Sequence, residues 1–167
     1  MPERFFKLLL ATVFLTASQL QAQETFVGQI SYVTDGDTLW VQAQAGGPPR
    51  KLRLDGIDAP EICQTGGVSS RQALARRVLH KQVQVTLRRY DNYGRGLARI
   101  EFEGADLGAQ LVRSGQAWSY RWHRDLGPYA AEEAFARQAR LGLFAVNQAE
   151  SPRDFRKRHG PCHAAPP

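Results

Sequence analysis

From Phe26 to Val33 (FVGQISYV) and again from Thr38 to Ala43 (TLWVQA) the chain is rich in β-branched and aromatic residues. These runs flank the turn formers Asp35-Gly36-Asp37, the pattern of a β-hairpin. A second turn, Gln44 to Pro49 (QAGGPP), leads into Arg50 to Ile57 (RKLRLDGI), where polar and apolar positions alternate and a third strand completes a meander. The period then changes. Across Ser69 to His80 (SSRQALARRVLH), Leu74, Val78 and Leu79 fall at helical spacing behind a serine suited to an N-cap. Period two returns over Val83 to Leu87 and, past the tight segment Asp91 to Gly96 (DNYGRG), over Leu97 to Phe102. A short helix is predicted over Asp106 to Arg113, ended by Gly115, and a last one over about Tyr129 to Leu141. Five strands, with one helix inserted after the third and the others trailing, predict an α+β fold that is mainly β: a five-stranded OB-type barrel with about three helices.

The ends of the chain read differently. In Met1 to Ala22, Arg4 and Lys7 precede an almost wholly apolar stretch, Leu8 to Leu15, and Ser18 to Ala22 is polar and small, the layout of a cleaved secretory signal. Its apolar run from Phe5 to Leu15 falls short of the roughly 17 to 25 residues that span a bilayer. The expected organisation is therefore a signal peptide over 1–22, a folded domain over 23–150, and a polar, Pro-rich tail over 151–167 that is loosely ordered. A chain so addressed is periplasmic or extracellular, with no membrane segment in its mature form. The only two cysteines, Cys63 and Cys162, are then available for an intramolecular disulfide, the alternatives being free thiols or pairing with another chain. Such a bridge would close a 99-residue loop, a constraint that contributes up to about 4 to 5 kcal/mol in the chain-entropy view.

Composition narrows the field. With 43% hydrophobic and 23% charged residues in 167, the chain is neither disordered, collagenous, coiled-coil nor polytopic. A net charge of +6 points to anionic partners.

Four clusters carry the chemistry: Asp35-Gly36-Asp37-Thr38; Arg53-Leu54-Asp55-Gly56-Ile57-Asp58-Ala59-Pro60-Glu61; Asp91-Asn92-Tyr93-Gly94-Arg95-Gly96; and Trp118 to His123 (WSYRWH). Phosphodiester hydrolysis needs charge neutralised on an anionic centre, an activated water and a stabilised leaving alkoxide. Asp37 and Asp58 supply hard oxygen ligands suited to Ca²⁺ or Mg²⁺, with waters completing the shell. Arg53 and Arg95 offer planar forks for phosphate oxygens. Glu61, across Pro60 from Asp58, is left to take or orient a water proton. Trp118, Tyr120 and Trp122, at alternate positions, read as one packed strand face. Asp55, Arg88-Arg89 and Arg153 to Arg158 read as solvated, and His80, His123, His159 and His163 as non-ligands.

In order and spacing over roughly Phe26 to Asn147, these clusters resemble the staphylococcal nuclease (thermonuclease) family. The resemblance implies an OB-type barrel that holds one Ca²⁺ through Asp37, Asp58 and the backbone carbonyl of Ala59, with Asp35 supporting the metal shell. It implies further that Arg53 and Arg95 grip the scissile phosphate of DNA or RNA and that Glu61 is the catalytic glutamate. Tyr93 and Tyr120 are candidates for substrate contact. The chain departs from the founding member in having Ala59 in place of Thr, Arg121 and His123 opposite the pocket tyrosines, Ile62 to Val68 in place of a Lys-rich loop, and two cysteines. The expected protein is a monomeric, secreted, calcium-dependent nuclease of low sequence specificity acting on single-stranded or locally opened nucleic acid. The alternative is an inert OB-fold envelope protein that binds nucleic acid or another partner. The joint presence of Asp37, Arg53, Asp58, Glu61 and Arg95 favours the enzyme.

Overall fold

The computed structural model describes residues 23–162, so Met1–Ala22, read as a signal peptide, and His163 lie outside the described residues. Strands β1 (Glu24–Val33), β2 (Thr38–Ala43) and β3 (Arg50–Leu54) form the expected meander, followed by the two-residue β4 (Ile57–Asp58) and helix α1 (Gly67–Val78). Next come β5 (Gln82–Tyr90), β6 (Gly96–Phe102), β7 (Ala105–Asp106), α2 (Leu107–Arg113), β8 (Trp118–Ser119), α3 (Ala130–Gln138), a 3₁₀ turn (Gly142–Ala145) and α4 (Pro152–His159).

β1 pairs antiparallel with β5 through its first half and with β2 through its second, and a register shift between Ile30 and Tyr32 marks where it bends. One long strand thereby serves two neighbours and turns the sheet back on itself. β5 pairs with β6, and β6 returns to run parallel to β3 (Leu52 opposite Gly96, Arg53 opposite Leu97, Leu54 opposite Ala98), closing the five-stranded barrel. The closure needs glycine at position 96, since a Cβ there would stand 2.6 Å from Leu87 and 2.7 Å from Leu52.

The inward positions of the strands fill the barrel: Ile30, Leu39, Val41, Leu52, Leu54, Val85, Ala98 and Ile100 are buried. Leu74 and Val78 of α1 and Leu107, Leu111 and Val112 of α2 belong to the same core. A smaller cluster of Trp118, Ala136 and Phe144 lies under α3, with Trp118 edge-on to Phe144 at 5.4 Å between ring centres. Beside it Glu133 is buried at 2% exposure. Its carboxylate accepts from Ser119 N (2.9 Å), Arg121 (2.7 Å) and Arg137 (2.7 Å), so it ties α3 to β8. Glu133→Ala opens a cavity and strands the Ser119 amide; the expected loss is about 2 to 4 kcal/mol of stability, read from denaturant midpoints.

Three expectations are corrected. The third strand ends at Leu54, because Gly56 at φ 82° turns the chain before β4. α1 starts at Gly67 rather than at Ser69, and its cap is Gly66 at φ 90° with no side-chain cap bond. Close packing accounts for the shift, as a Cβ on Gly67 would stand 2.0 Å from the Glu61 carbonyl oxygen. The segment read as a loose tail contains the ordered helix α4. Ser151 caps it by accepting from Asp154 N, and Pro152 occupies its first turn, where a missing N–H costs nothing. A disulfide joins Cys63 to Cys162 with the Cα atoms 6.0 Å apart.

Candidate active site

The β1–β2 turn places the first acidic group. Asp35 accepts from the backbone N–H of Asp37 (2.9 Å) and of Thr38 (2.7 Å), so its carboxylate is engaged in holding the turn. Asp37 then projects inward. Its Oδ1 accepts from Thr38 Oγ1 (2.9 Å), and its Oδ2 from Ala59 N (3.2 Å). That second bond fastens the hairpin to the Asp58–Glu61 loop, and glycine at 36 permits the approach: a Cβ would meet Ala59 Cβ at 2.7 Å and Ser70 Cβ at 2.9 Å.

β4, paired with β8 (Asp58 opposite Trp118), delivers the second aspartate. Arg53 Nη2 lies 2.8 Å from Asp37 Oδ2 and 2.9 Å from Asp58 Oδ1, so the two carboxylates converge on a single nitrogen. Arg53 Nη1 is fixed by donating to the Ile57 carbonyl (3.2 Å). Asp37 and Asp58 are each 6% exposed. Burial, and then the neighbouring Asp37, hold the Asp58 pKa above the usual carboxylate range against the pull of Arg156 and Arg53. Burial and Asp37 likewise push Asp35 up to about 7. Burial works to lower the Arg53 pKa, yet the surrounding carboxylates prevail and raise it.

Acidic groups crowded away from water with their oxygens turned to a common point fit a hard divalent cation. Among the described residues no three His, Cys, Asp or Glu side chains gather into a ligand set by themselves. A cation at Asp37 and Asp58 therefore needs backbone oxygen and water as well.

Glu61 lies on the far side of Asp58. Its backbone N–H donates to Gln64 Oε1 (3.1 Å), and Gln64 Nε2 donates to the Glu150 carbonyl (2.8 Å), which binds the loop to the start of α4. Its carboxylate accepts from Arg156 Nη1 at 2.9 Å. Arg156 also donates to Asp58 Oδ1 (3.2 Å) and Oδ2 (2.9 Å). Arg156 thus departs from the solvated face expected of Arg153 to Arg158. Read as a helix, Pro152, Phe155, Arg156 and His159 share one side, and Pro152, Phe155 and Arg156 are the members less exposed than their neighbours.

Arg95 sits in the β5–β6 turn. Asp91 Oδ1 accepts from the backbone N–H of Tyr93 and of Arg95 (2.9 Å each), and Oδ2 accepts from Arg95 Nε at 2.8 Å. Burial tends to raise the Asp91 pKa, but these bonds outweigh it and hold the pKa below the usual range. Arg95 Nη1 reaches to 3.4 Å from Thr38 Oγ1, itself bonded to Asp37, so the second arginine is linked to the aspartate pair through Asp37, whereas Glu61 is linked to it through Asp58. Tyr93 is 84% exposed and lies 5.4 Å under the Arg95 guanidinium.

Of the expected aromatic strand face only Trp118 packs; Tyr120 and Trp122 are exposed. β8 stops at Ser119, so strand alternation no longer applies beyond it. Tyr120 and Trp122 instead line a groove of about 480 Å³ that opens beside Asp58 and is bordered by Arg121, Arg153 and Arg156. Asp55 and Arg88, both read as solvated, pair at 2.7 Å.

The family model described as "Staphylococcal nuclease homologue" matches residues 51–146. The chain is 35% identical over 159 residues to a protein named micrococcal nuclease from Shigella flexneri, covering 88% of this chain and 89% of that protein. It is 30% identical over 154 residues to an uncharacterized endonuclease of Haemophilus influenzae, covering 91% and 86%. With Protein ParB of Escherichia coli the identity is 36% over 141 residues, or 78% of each chain. The closed barrel and the extent of these matches establish that the chain belongs to the staphylococcal nuclease family.

Proposed function

We propose that the mature chain is a secreted or periplasmic, calcium-dependent nuclease that hydrolyses phosphodiester bonds of DNA or RNA with low sequence specificity. The observation that carries this reading is the convergence of Asp37 Oδ2 and Asp58 Oδ1 on one Arg53 nitrogen, with Glu61 linked to Asp58 through Arg156 and Arg95 linked to Asp37 through Thr38. Nuclease names among the relatives support it. Asp37, Asp58 and the Ala59 carbonyl would hold the cation, which when bound supplies positive charge at the phosphate and lowers the pKa of a water. Asp35 serves by keeping Asp37 in position through the turn. Arg53 and Arg95 bind the non-bridging oxygens and stabilise the charge that builds on them. Glu61, close to Asp58 and half-shielded from solvent, accepts or steers the proton of the attacking water. Tyr93 and Tyr120, both exposed, would contact unstacked bases, which supports a preference for single-stranded or locally opened substrate by a monomer.

Purified mature protein should cleave labelled DNA or RNA in Ca²⁺, cleave less well in Mg²⁺, whose strict octahedral shell suits an open site poorly, and stop in excess chelator. Undiminished cleavage in chelator rejects the metal role. Binding without cleavage under any of these ions supports the inert barrel instead.

A further inference from the structure

The C-terminal segment is fastened to the site at more than one place. Gln64 joins the Glu61 amide to the Glu150 carbonyl. The disulfide joins Cys63, two residues past Glu61, to Cys162, just beyond α4. Between these anchors α4 is capped by Ser151 and seated on the buried Pro152, so the helix is held at both ends. Arg156 projects from its middle onto both carboxylates, with Nη2 on Asp58 Oδ2, and with Nη1 shared between Asp58 Oδ1 and Glu61 Oε1. Its side chain is 32% exposed and that of Asp58 8%, so the contact lies at the mouth of the site rather than on open surface.

Resting on the calcium-dependent reading above, we propose that Arg156 is a positioning residue that guards the cation seat. In the cation-free protein it neutralises Asp58 and Glu61 and fixes their orientation. A cation arriving at Asp58 must displace the guanidinium from that carboxylate, after which Arg156 retains Glu61 alone. The argument is one of competition. Both Asp58 oxygens are engaged by arginine, Oδ1 by Arg53 and Arg156 and Oδ2 by Arg156 alone, so an arriving cation would be a third positive group at this carboxylate, repelled by both guanidiniums and barred from Oδ2 while Arg156 stays in place. The binding-competent state is therefore only a fraction of the population, and apparent affinity falls by that fraction. The disulfide is the second part of the device: by fixing the far end of the segment, while Gln64 holds the near end, it keeps the guanidinium at high local concentration beside the carboxylates.

The test is Ca²⁺ affinity, measured by isothermal titration calorimetry on folded protein, with circular dichroism as the check of fold. Arg156→Gln should bind Ca²⁺ about tenfold more tightly or better, since the competent fraction rises toward one. The Cys63→Ser/Cys162→Ser double variant should fall between wild type and Arg156→Gln. Arg156→Lys, which keeps the charge but cannot bridge two carboxylates as a fork, should also be intermediate. Affinity that is unchanged or weaker in Arg156→Gln overturns the guard, whatever its effect on turnover. Absence of Ca²⁺ binding in every folded form removes the calcium reading itself, a result distinguishable from the first because the wild type then fails too.

Discussion

Arg95→Lys is expected to lower turnover by on the order of 10² or more while changing substrate binding little. The guanidinium is held on one edge by Asp91, through Nε and Nη2, and extends Nη1 toward Thr38 and thence Asp37. Lysine has no second edge: if its ammonium stays on Asp91 it cannot also face the phosphate, and if it turns to the phosphate it leaves the half-buried Asp91 oxygen without that partner. An arginine acting only as surface charge would give a different result, a modest and salt-sensitive weakening of binding. The matched control is Arg89→Lys, on the exposed outer part of β5; Arg88 is unsuitable because it pairs with Asp55. Steady-state kinetics on a defined oligonucleotide separates the outcomes, and equal behaviour of Arg95→Lys and Arg89→Lys would show that no phosphate fork exists there.

Removing the disulfide, by reduction or as Cys63→Ser/Cys162→Ser, should lower the melting temperature by about 10 °C. The bridge spans a sequence separation of 99, for which the chain-entropy relation gives up to about 4 to 5 kcal/mol. In a chain of this size each kcal/mol shifts the midpoint by roughly 2 to 4 °C. The loss should be felt first near Glu61, because the bridge, the Gln64 contacts and Arg156 all bear on one short loop. Identical melting curves with and without reductant would mean that the other contacts of α4 suffice to hold it.

The barrel was legible because its strands alternate and its turns are spelled by Asp-Gly and Gly-Pro pairs, local signals that tertiary packing did not contradict. The acidic pair and the two arginines that reach it, Arg53 and Arg95, were legible for a related reason: each sits at a strand end or turn whose position the pattern fixed. What escaped depended on contacts distant in sequence. Nothing near Gly66 announces a helix start, because the reason is the Glu61 carbonyl pressed against Gly67. Asp55 and Arg88 look solvated one at a time and meet only when the barrel forms. Arg156 is the instructive case. Ser151-Pro152 followed by Asp154 is a helix-start signature, but the high charge and the nearby prolines outweighed it. With the helix unrecognised, there was no phase from which to single out one arginine among several.

The parallel seam between β3 and β6 has a bearing on when the site exists at all. Arg53 stands on β3 opposite Leu97, and Arg95 immediately precedes β6. The seam thus draws together two cationic groups from distant stretches of the chain, and it is the kind of non-local pairing that is slow to form. A conformer with the meander intact but β6 detached would keep its acidic turn and still lack Arg95 beside it. If Arg95 acts as proposed, activity is therefore expected only after the ring has closed and brought Arg95 to Thr38 and, through it, to Asp37.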